Sequence, residues 1–129
     1  MDYSQLSDFE INVAVFEAIH NGSPDYKEGE NGAMVFISFE GDIVNGDAVE
    51  VEVERGSFNP CANPADAWPI ITENKISIMF DSTDTRYEGE YHEWCDAISS
   101  CQKFGIQHQS NPLRAAMIVF LMMQDANNA

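Results

Sequence analysis

Basic residues are scarce in this chain. Six lysines and arginines stand against 22 aspartates and glutamates in 129 residues, which gives a formal net charge of −16. Binding to nucleic acid or to an anionic membrane surface depends on cations placed against phosphates, so this composition argues against both partners. The charge leaves two interpretations open: a solvated surface that keeps the protein in solution, or an anionic surface for a basic partner.

Several sequence motifs are also missing. The chain contains neither of the glycine-rich phosphate loops, the P-loop and GxGxxG, and it has no GxSxG nucleophile elbow. The longest apolar run, residues 115–123, is about half as long as a membrane span. No segment resembles a secretion signal, and Cys61, Cys95 and Cys101 form no CxxC pair. We therefore expect free thiols, a cytoplasmic location and no membrane partner.

What is present is the composition of a globular protein. Hydrophobic residues make up 44% of the chain, and fourteen residues are aromatic. This length and composition predict a single domain over residues 1–129.

Local capping signals predict three helices. Ser7 and Glu10 have the spacing of a capping box, and Asn21 with the following glycine supplies a left-handed stop. Between them, three residues recur at helical spacing on one face: Phe9, Val13 and Phe16. Asn63 and Asn111 each precede a proline and predict two further helix starts. The last helix, residues 112–124, is apolar nearly all round, which predicts burial on several sides.

Strand-like patterns lie between these helices. Residues 33–40 and 48–55 form one pair joined by residues 41–47, and residues 21–32 read as a polar loop. Three further runs, at residues 76–80, 86–98 and 103–109, follow the second helix. The order predicts an α+β fold, in which an antiparallel or mixed sheet of about four to five strands packs with three helices in layers.

The second strand of this first pair has the clearest charge pattern. Three valines alternate with Glu50, Glu52 and Glu54, which predicts a half-buried strand with one wet face. Alternate side chains lie about 6.8 Å apart, inside a Debye length of about 8–10 Å, so these charges repel one another. With Asp42 and Asp47 nearby, the five acids are a candidate binding face. The alternative is a solvated face that discourages edge-to-edge aggregation.

Two other hypotheses concern the acidic residues of the chain, one for the glutamate row and one for a group at residues 90–101. Duplex DNA carries one charge per about 1.7 Å of axis, so imitation of DNA requires a second acidic row beside the first. A metal site would draw on the densest group of possible ligands, although their spacing matches no zinc ribbon or HExxH pattern. That group comprises Glu90, His92, Glu93, Cys95, Asp96 and Cys101, with His108 or Cys61 as further ligands. The alternative for the group is a partly exposed strand.

Three segments resemble the NinX-like proteins of lambdoid phages and prophages. They are residues 6–12 (LSDFEIN), 56–71 (GSFNPCANPADAWPII) and 111–125 (NPLRAAMIVFLMMQD). The resemblance implies a phage or prophage origin, the cytoplasm of a bacterial host and helices on either side of a sheet. It implies no established activity and carries over no catalytic, cofactor or metal residues. Residues 21–55 and 82–110 do not follow the family pattern.

Three functional hypotheses follow. The first is a non-enzymatic phage accessory protein that binds a host or phage protein, basic in character, through its acidic surface. The second is a DNA mimic that inhibits a host DNA-binding or defence protein. The third is a small metal- or carboxylate-dependent hydrolase. The apolar last helix also leaves room for a homodimer.

Overall fold

The computed structural model describes residues 1–84 and 89–127, and its elements form an α+β fold. The helices are α1 (Asp8–His20), α2 (Pro64–Glu73) and α3 (Pro112–Asn127). The strands are β1 (Tyr26–Glu28), β2 (Met34–Val44), β3 (Asp47–Phe58), β4 (Ser77–Ser82), β5 (Glu93–Ile98) and β6 (Gly105–Gln109). Strands β1–β2–β3 form antiparallel sheet A, and β4–β5–β6 form antiparallel sheet B.

The α+β class and the three helices are confirmed, but the expectation of one sheet with four to five strands is wrong. In the described ranges, six strands form two separate sheets, with α2 lying between them in the chain. The additional strand, β1, lies in the segment expected to be a loop and pairs with the start of β2. It has only three residues, so pairing rather than any sequence pattern makes it a strand. Part of the expected strand at residues 86–98 falls outside the described residues, and β5 begins at Glu93.

Helix α1 begins and ends where its capping residues predict. Ser7 Oγ accepts from the Glu10 amide at 3.1 Å, and Glu10 Oε1 accepts from the Ser7 amide at 3.0 Å. Asn21 ends the helix with a left-handed φ of 57°. The buried residues are Ile11, Asn12 and Val15, whereas the sequence pattern predicted a face formed by Phe9, Val13 and Phe16. The predicted residue Phe16 instead packs on sheet A, where its ring contacts Phe36 and Phe58.

Helix α3 is the centre of the core, as its apolar sequence predicts. Every residue from 115 to 121 is buried. The helix packs against α1 and α2 and against the strands of sheet B. Asn111 begins it, because its Oδ1 accepts from the amides of Leu113 and Arg114 at 3.0 and 3.1 Å.

Helix α2 begins at the Asn63 cap and continues through Pro69 to Glu73. It buries Ala67, Ile70 and Ile71, whereas Trp68 is 64% exposed. The spacing of the buried residues explains this, because a residue one position after Ala67 lies on a different face of the helix.

A buried amide ties these elements together. Asn12 is fully buried, and its Nδ2 donates to the Gly32 carbonyl at 2.9 Å and to Asn59 Oδ1 at 2.8 Å. Its Oδ1 accepts from the Cys61 amide at 3.1 Å. The Cys61 carbonyl in turn accepts from Asn111 Nδ2 at 2.8 Å. Apart from Gly32, the network consists of Asn12, Asn59, Cys61 and Asn111. All four residues belong to the three segments that resemble NinX-like proteins, so those segments meet at one polar network.

Arg114 extends this junction to the beginning of the chain. Its Nη1 pairs with Asp8 Oδ1 at 2.7 Å, and its Nη2 donates to the carbonyls of Ser4 and Leu6 at 3.1 and 2.7 Å. The guanidinium therefore fixes the first turn of α1 against the first turn of α3.

Candidate functional site

The acidic residues singled out from the sequence lie on one long β-hairpin. Strands β2 and β3 pair from Val44 opposite Asp47 to Met34 opposite Phe58. The turn between them consists of Asn45 and Gly46, whose φ angles of 53° and 84° match a type I′ turn. The expected connection over residues 41–47 is therefore wrong, since five of its seven residues are paired in the ladder.

The outer part of this hairpin, residues 39–52, is exposed at every position, and we call it the ribbon. Its length explains the exposure. Helix α1 has 13 residues and is about 20 Å long, whereas the 12 residues of β3 span about 40 Å. The aromatic rings of α1 contact sheet A at the end far from the hairpin turn, where they meet Tyr26, Phe36 and Phe58. The ribbon thus extends beyond the layer that would cover it, and the expected half-buried strand is wrong here.

The register divides the ribbon between two faces, because directly opposite residues in an antiparallel pair share a face. On the first, which we call the glutamate face, Glu54, Glu52 and Glu50 lie opposite Ile37, Phe39 and Gly41. On the second, the valine face, Val51 and Val49 lie opposite Glu40 and Asp42, and Asp47 lies opposite Val44. Each face therefore mixes apolar side chains with carboxylates.

This register separates the five predicted site residues. Glu50, Glu52 and Glu54 share the glutamate face, whereas Asp42 and Asp47 lie on the valine face. All five belong to the hairpin, but they do not form a single acidic surface. The side chains that sequence reasoning missed are Glu40, Phe39 and Ile43. The Asn45-Gly46 dipeptide was the available signal, because a two-residue turn fixes the register of every pair behind it.

Two basic side chains neutralise part of this charge. Lys27 Nζ, on β1, lies 2.7 Å from Glu52 Oε2 and 3.2 Å from Glu54 Oε1. The hydrogen bond to Glu52 and then the one to Glu54 raise the pKa of the Lys27 ammonium. On the other face, Arg55 pairs with Glu40 and donates to Ser38 Oγ at 2.8 Å. Over the described part of the chain, Glu50 makes no ion pair.

The apolar side chains of the ribbon are unusually open to solvent. Ile43 is 75% exposed and Phe39 is 53% exposed on the glutamate face, while Val44 and Val51 are 49% and 42% exposed on the valine face. Exposed apolar side chains grouped on one element, beside polar ones, are typical of interaction sites. Neither face can be buried as a core, because burial would also remove carboxylates from water.

The surroundings of the glutamate row bear on the DNA-mimic hypothesis. That hypothesis requires a second acidic row beside the first. Opposite Glu52 and Glu50, the register places Phe39 and Gly41, and Lys27 already pairs with two of the three glutamates. The glutamate face therefore does not reach the charge density of a duplex.

The group proposed as metal ligands is spread over several environments. Glu90 and His92 precede β5, and His92 Nε2 lies 3.6 Å from Glu90 Oε2. Cys95 is buried, and its Sγ donates to the Gln109 carbonyl at 3.2 Å. Asp96 accepts from the His108 amide at 2.9 Å. Within residues 1–84 and 89–127, no three His, Cys, Asp or Glu side chains are grouped as metal ligands.

Carboxylates also line a cleft of about 350 Å³ between the ends of β4 and β5. Asp81 pairs with Trp94, and Glu93 pairs with Ser82, so the two carboxylates point to opposite faces of sheet B. Glu93 accepts from the Tyr91 hydroxyl at 3.0 Å. These two acids are thus not arranged as a facing catalytic pair.

The three cysteines are free and differ in burial and in the pKa of their thiols. Burial raises the pKa of the Cys61 thiol to about 12 and also raises the pKa of Cys95. Cys101 is exposed, and hydrogen bonding to Ser99 and to the Lys103 backbone lowers the pKa of its thiol. Its Sγ lies 3.2 Å from Ser99 Oγ.

The fold and the hairpin define a small α+β protein whose exposed, charged element is a two-stranded ribbon. The chain belongs to the phage protein family described as Bacteriophage P22, NinX, whose family model matches residues 2–124. This confirms the resemblance carried by the three segments. The match also spans residues 21–55 and 82–110, so the expectation that these segments do not follow the family pattern is wrong. Searches of curated proteins and of solved structures gave no significant match. In the described ranges, no helix has the length and apolar character needed to cross a membrane.

Proposed function

We propose that the protein is a non-enzymatic phage accessory protein that acts in the cytoplasm of the bacterial host. It binds a basic host or phage protein through the β2–β3 hairpin. The observation that carries this proposal is the ribbon, residues 39–52, which is exposed on both faces and mixes apolar side chains with carboxylates.

The apolar side chains supply the driving force. Phe39, Ile43, Val44 and Val51 are each between 42% and 75% exposed. Covering them with a partner stabilises a complex by on the order of 1 kcal/mol for each side chain. An isolated ribbon gains little from displaying them to water, so the arrangement favours a binding role.

The carboxylates determine what kind of partner fits. Residues 37–54 contain six acids and no lysine or arginine. An apolar partner surface would leave these carboxylates desolvated and unpaired, which is costly. A basic surface pairs with them and also accelerates association through electrostatic attraction.

A shortened hairpin tests the proposal. Replacing residues 41–50 by Asn-Gly keeps Glu40 opposite Val51 and closes the ladder with the same kind of turn. The removed residues lie outside the core, so thermal unfolding should stay close to that of the native chain. Immobilised native protein, exposed to host or phage-infected lysate at physiological salt, should enrich a protein of basic isoelectric point. The shortened variant should not.

A matched control removes an exposed aromatic residue elsewhere. Phe80 is 75% exposed on β4, and Phe80→Ser should leave capture unchanged. The double charge reversal Asp42→Lys with Glu50→Lys should weaken capture and reduce its sensitivity to salt. Equal capture by the native and shortened proteins, or no basic protein enriched by the native chain, would contradict the proposal.

A further inference from the structure

In the part of the chain that the structure describes, the outer edge of β3 has no partner strand. The order of sheet A is β1–β2–β3, and within the described residues the only strand that pairs with β3 is β2. Residues 47–54 form a regular run of this edge, because the register shift in the ladder comes only at Arg55. At about 3.4 Å per residue, this run offers roughly 27 Å of unpaired strand.

The turn shows which backbone groups this edge presents. In a two-residue hairpin, the residues that flank the turn form a hydrogen-bonded pair, here Val44 and Asp47. Hydrogen-bonded and non-hydrogen-bonded pairs then alternate along the ladder. The N–H and C=O groups of Ala48, Glu50, Glu52 and Glu54 consequently point outward from the hairpin.

We propose that this edge accepts an extended segment of the partner protein as an added strand. In that segment, basic residues alternate with apolar residues. The basic side chains lie beside Glu50, Glu52 and Glu54, and the apolar side chains lie beside the valines of the opposite face. This inference rests on the proposed function and specifies its partner chemistry and binding mode.

Charge selects a basic segment over a second copy of the chain. Two β3 edges paired with each other would place glutamates opposite glutamates, about 5 Å apart. Each chain also has a formal net charge of −16. The same glutamates that oppose self-pairing favour lysine or arginine in the added strand, which explains how a long open edge is kept from self-association.

The edge of β3 also suits an added strand better than the free edge of β2. The outer edge of β2 is partly occupied, because β1 pairs with its first residues and the Ile37 amide donates to the Asp25 carbonyl at 3.0 Å. Beyond that point β2 offers two carboxylates, Glu40 and Asp42, and is interrupted by Gly41. In contrast, β3 offers an unbroken alternation of valine and glutamate from residue 49 to residue 54.

The probe for the test is a labelled octapeptide of alternating lysine and valine. Its control has the same composition in two blocks, so that charge is equal but alternation is lost. Binding of both peptides to the full chain is measured by fluorescence anisotropy, and amide chemical shifts are recorded by NMR. The alternating peptide should bind about tenfold more tightly than the blocked one, with the largest shifts in residues 47–54.

Two variants at one position separate charge from backbone pairing. Glu50→Gln removes only the charge, whereas Glu50→Pro also removes an outward N–H, a change that edge strands tolerate. Affinity for the alternating peptide should be several-fold lower in Glu50→Pro than in Glu50→Gln. Equal affinity in the two variants would overturn strand addition, as would equal binding of the two peptides or no binding of the alternating one.

The shortened hairpin keeps this inference distinct from the proposed function. If both peptides bind equally and shortening the hairpin abolishes both interactions, the hairpin is a binding element but strand addition is wrong. If the shortened variant captures the lysate partner as the native chain does, the proposed function itself is wrong.

Discussion

The Asn12 side chain is fully buried and makes three hydrogen bonds, to Gly32, Asn59 and Cys61. In Asn12→Ala, the buried Cys61 amide and the partly buried Gly32 carbonyl and Asn59 Oδ1 each lose a partner. We expect this substitution to lower the free energy of unfolding by about 3 kcal/mol, since each unpaired buried group costs about 1–3 kcal/mol. Urea unfolding followed by tryptophan fluorescence measures the change.

An exposed amide gives the control for this prediction. Gln5 is exposed, and among the described residues its side chain hydrogen-bonds only to the neighbouring Ser4, so Gln5→Ala should cost less than about 0.5 kcal/mol. If Asn12→Ala cost as little as that, the junction between the NinX-like segments would not depend on this network.

Cys101 is the thiol that we expect to react first with iodoacetamide. Hydrogen bonding to Ser99 and to the Lys103 backbone lowers its pKa, so its thiolate forms at a lower pH than that of an ordinary cysteine. The labelling rate should therefore rise through a midpoint below 9.0, the ordinary value, and Ser99→Ala should move that midpoint upward. Mass spectrometry of the labelled protein at a series of pH values measures the rate.

The other two thiols provide the internal comparison. Cys61 and Cys95 are buried with raised pKa values, so in Cys101→Ser labelling should require unfolding. Rapid labelling of folded Cys101→Ser would show that the exposed thiol is not the reactive one.

At the scale of elements, the helices could be predicted because their signals are local. The Ser7–Glu10 capping box and the Asn63 and Asn111 caps each act within a few residues, and all three appear at the predicted positions. The burial of α3 also followed from its apolar surface. These features need no knowledge of what lies elsewhere in the chain.

The strands could be predicted less well because pairing is non-local. Strand β1 exists because it meets the start of β2, and no pattern within its three residues indicates this. The division into two sheets likewise depends on contacts between distant segments. The alternation within β3 correctly predicted that its valines and glutamates lie on opposite faces. The sequence of one strand cannot show that Glu40 and Asp42, from β2, lie on the valine face.

In the candidate site, too, features within one strand could be predicted, whereas features that depend on pairing between strands could not. The three glutamates of β3 were correctly placed on one face, whereas Asp42 and Asp47 lie on the other. Recognising Asn45-Gly46 as a type I′ turn would have corrected this from sequence alone, because it fixes the register. The exposure of the ribbon would still have been missed, since it depends on how far α1 reaches along sheet A.

For the molecule as a whole, packing and charge occupy different segments. The NinX-like segments contain the Asn12 network, Arg114 and most of the buried helix α3. The hairpin carries six carboxylates in its residues 37–54 and makes little contact with the helices. Charge can therefore vary on the ribbon with little effect on the junction that holds the helices together. With a net charge of −16, the carboxylates at the surface repel one another, and this repulsion lowers the stability of the folded state.

This repulsion should make the fold more stable as salt increases. Raising NaCl from about 0.01 M to 0.2 M shortens the Debye length from about 30 Å to below 10 Å, which screens like charges across the molecule. The same salt weakens the exposed ion pairs of Lys27 and Arg55, but such solvent-exposed pairs contribute little to stability. With 22 acids against six bases, we expect the repulsion to dominate and the unfolding free energy to rise by about 1 kcal/mol.

Urea unfolding at several NaCl concentrations measures this dependence. The control is a variant that removes three ribbon charges without adding bases: Asp42→Asn, Asp47→Asn and Glu50→Gln. Because it carries less repulsion, its unfolding free energy should change less over the same range of salt. Stability that falls as NaCl increases would instead mean that the few ion pairs, including Arg114 with Asp8, outweigh the net charge. In that case the carboxylates of the ribbon would be stabilising parts of the fold, and a basic partner would have to compete with Lys27 and Arg55 for them.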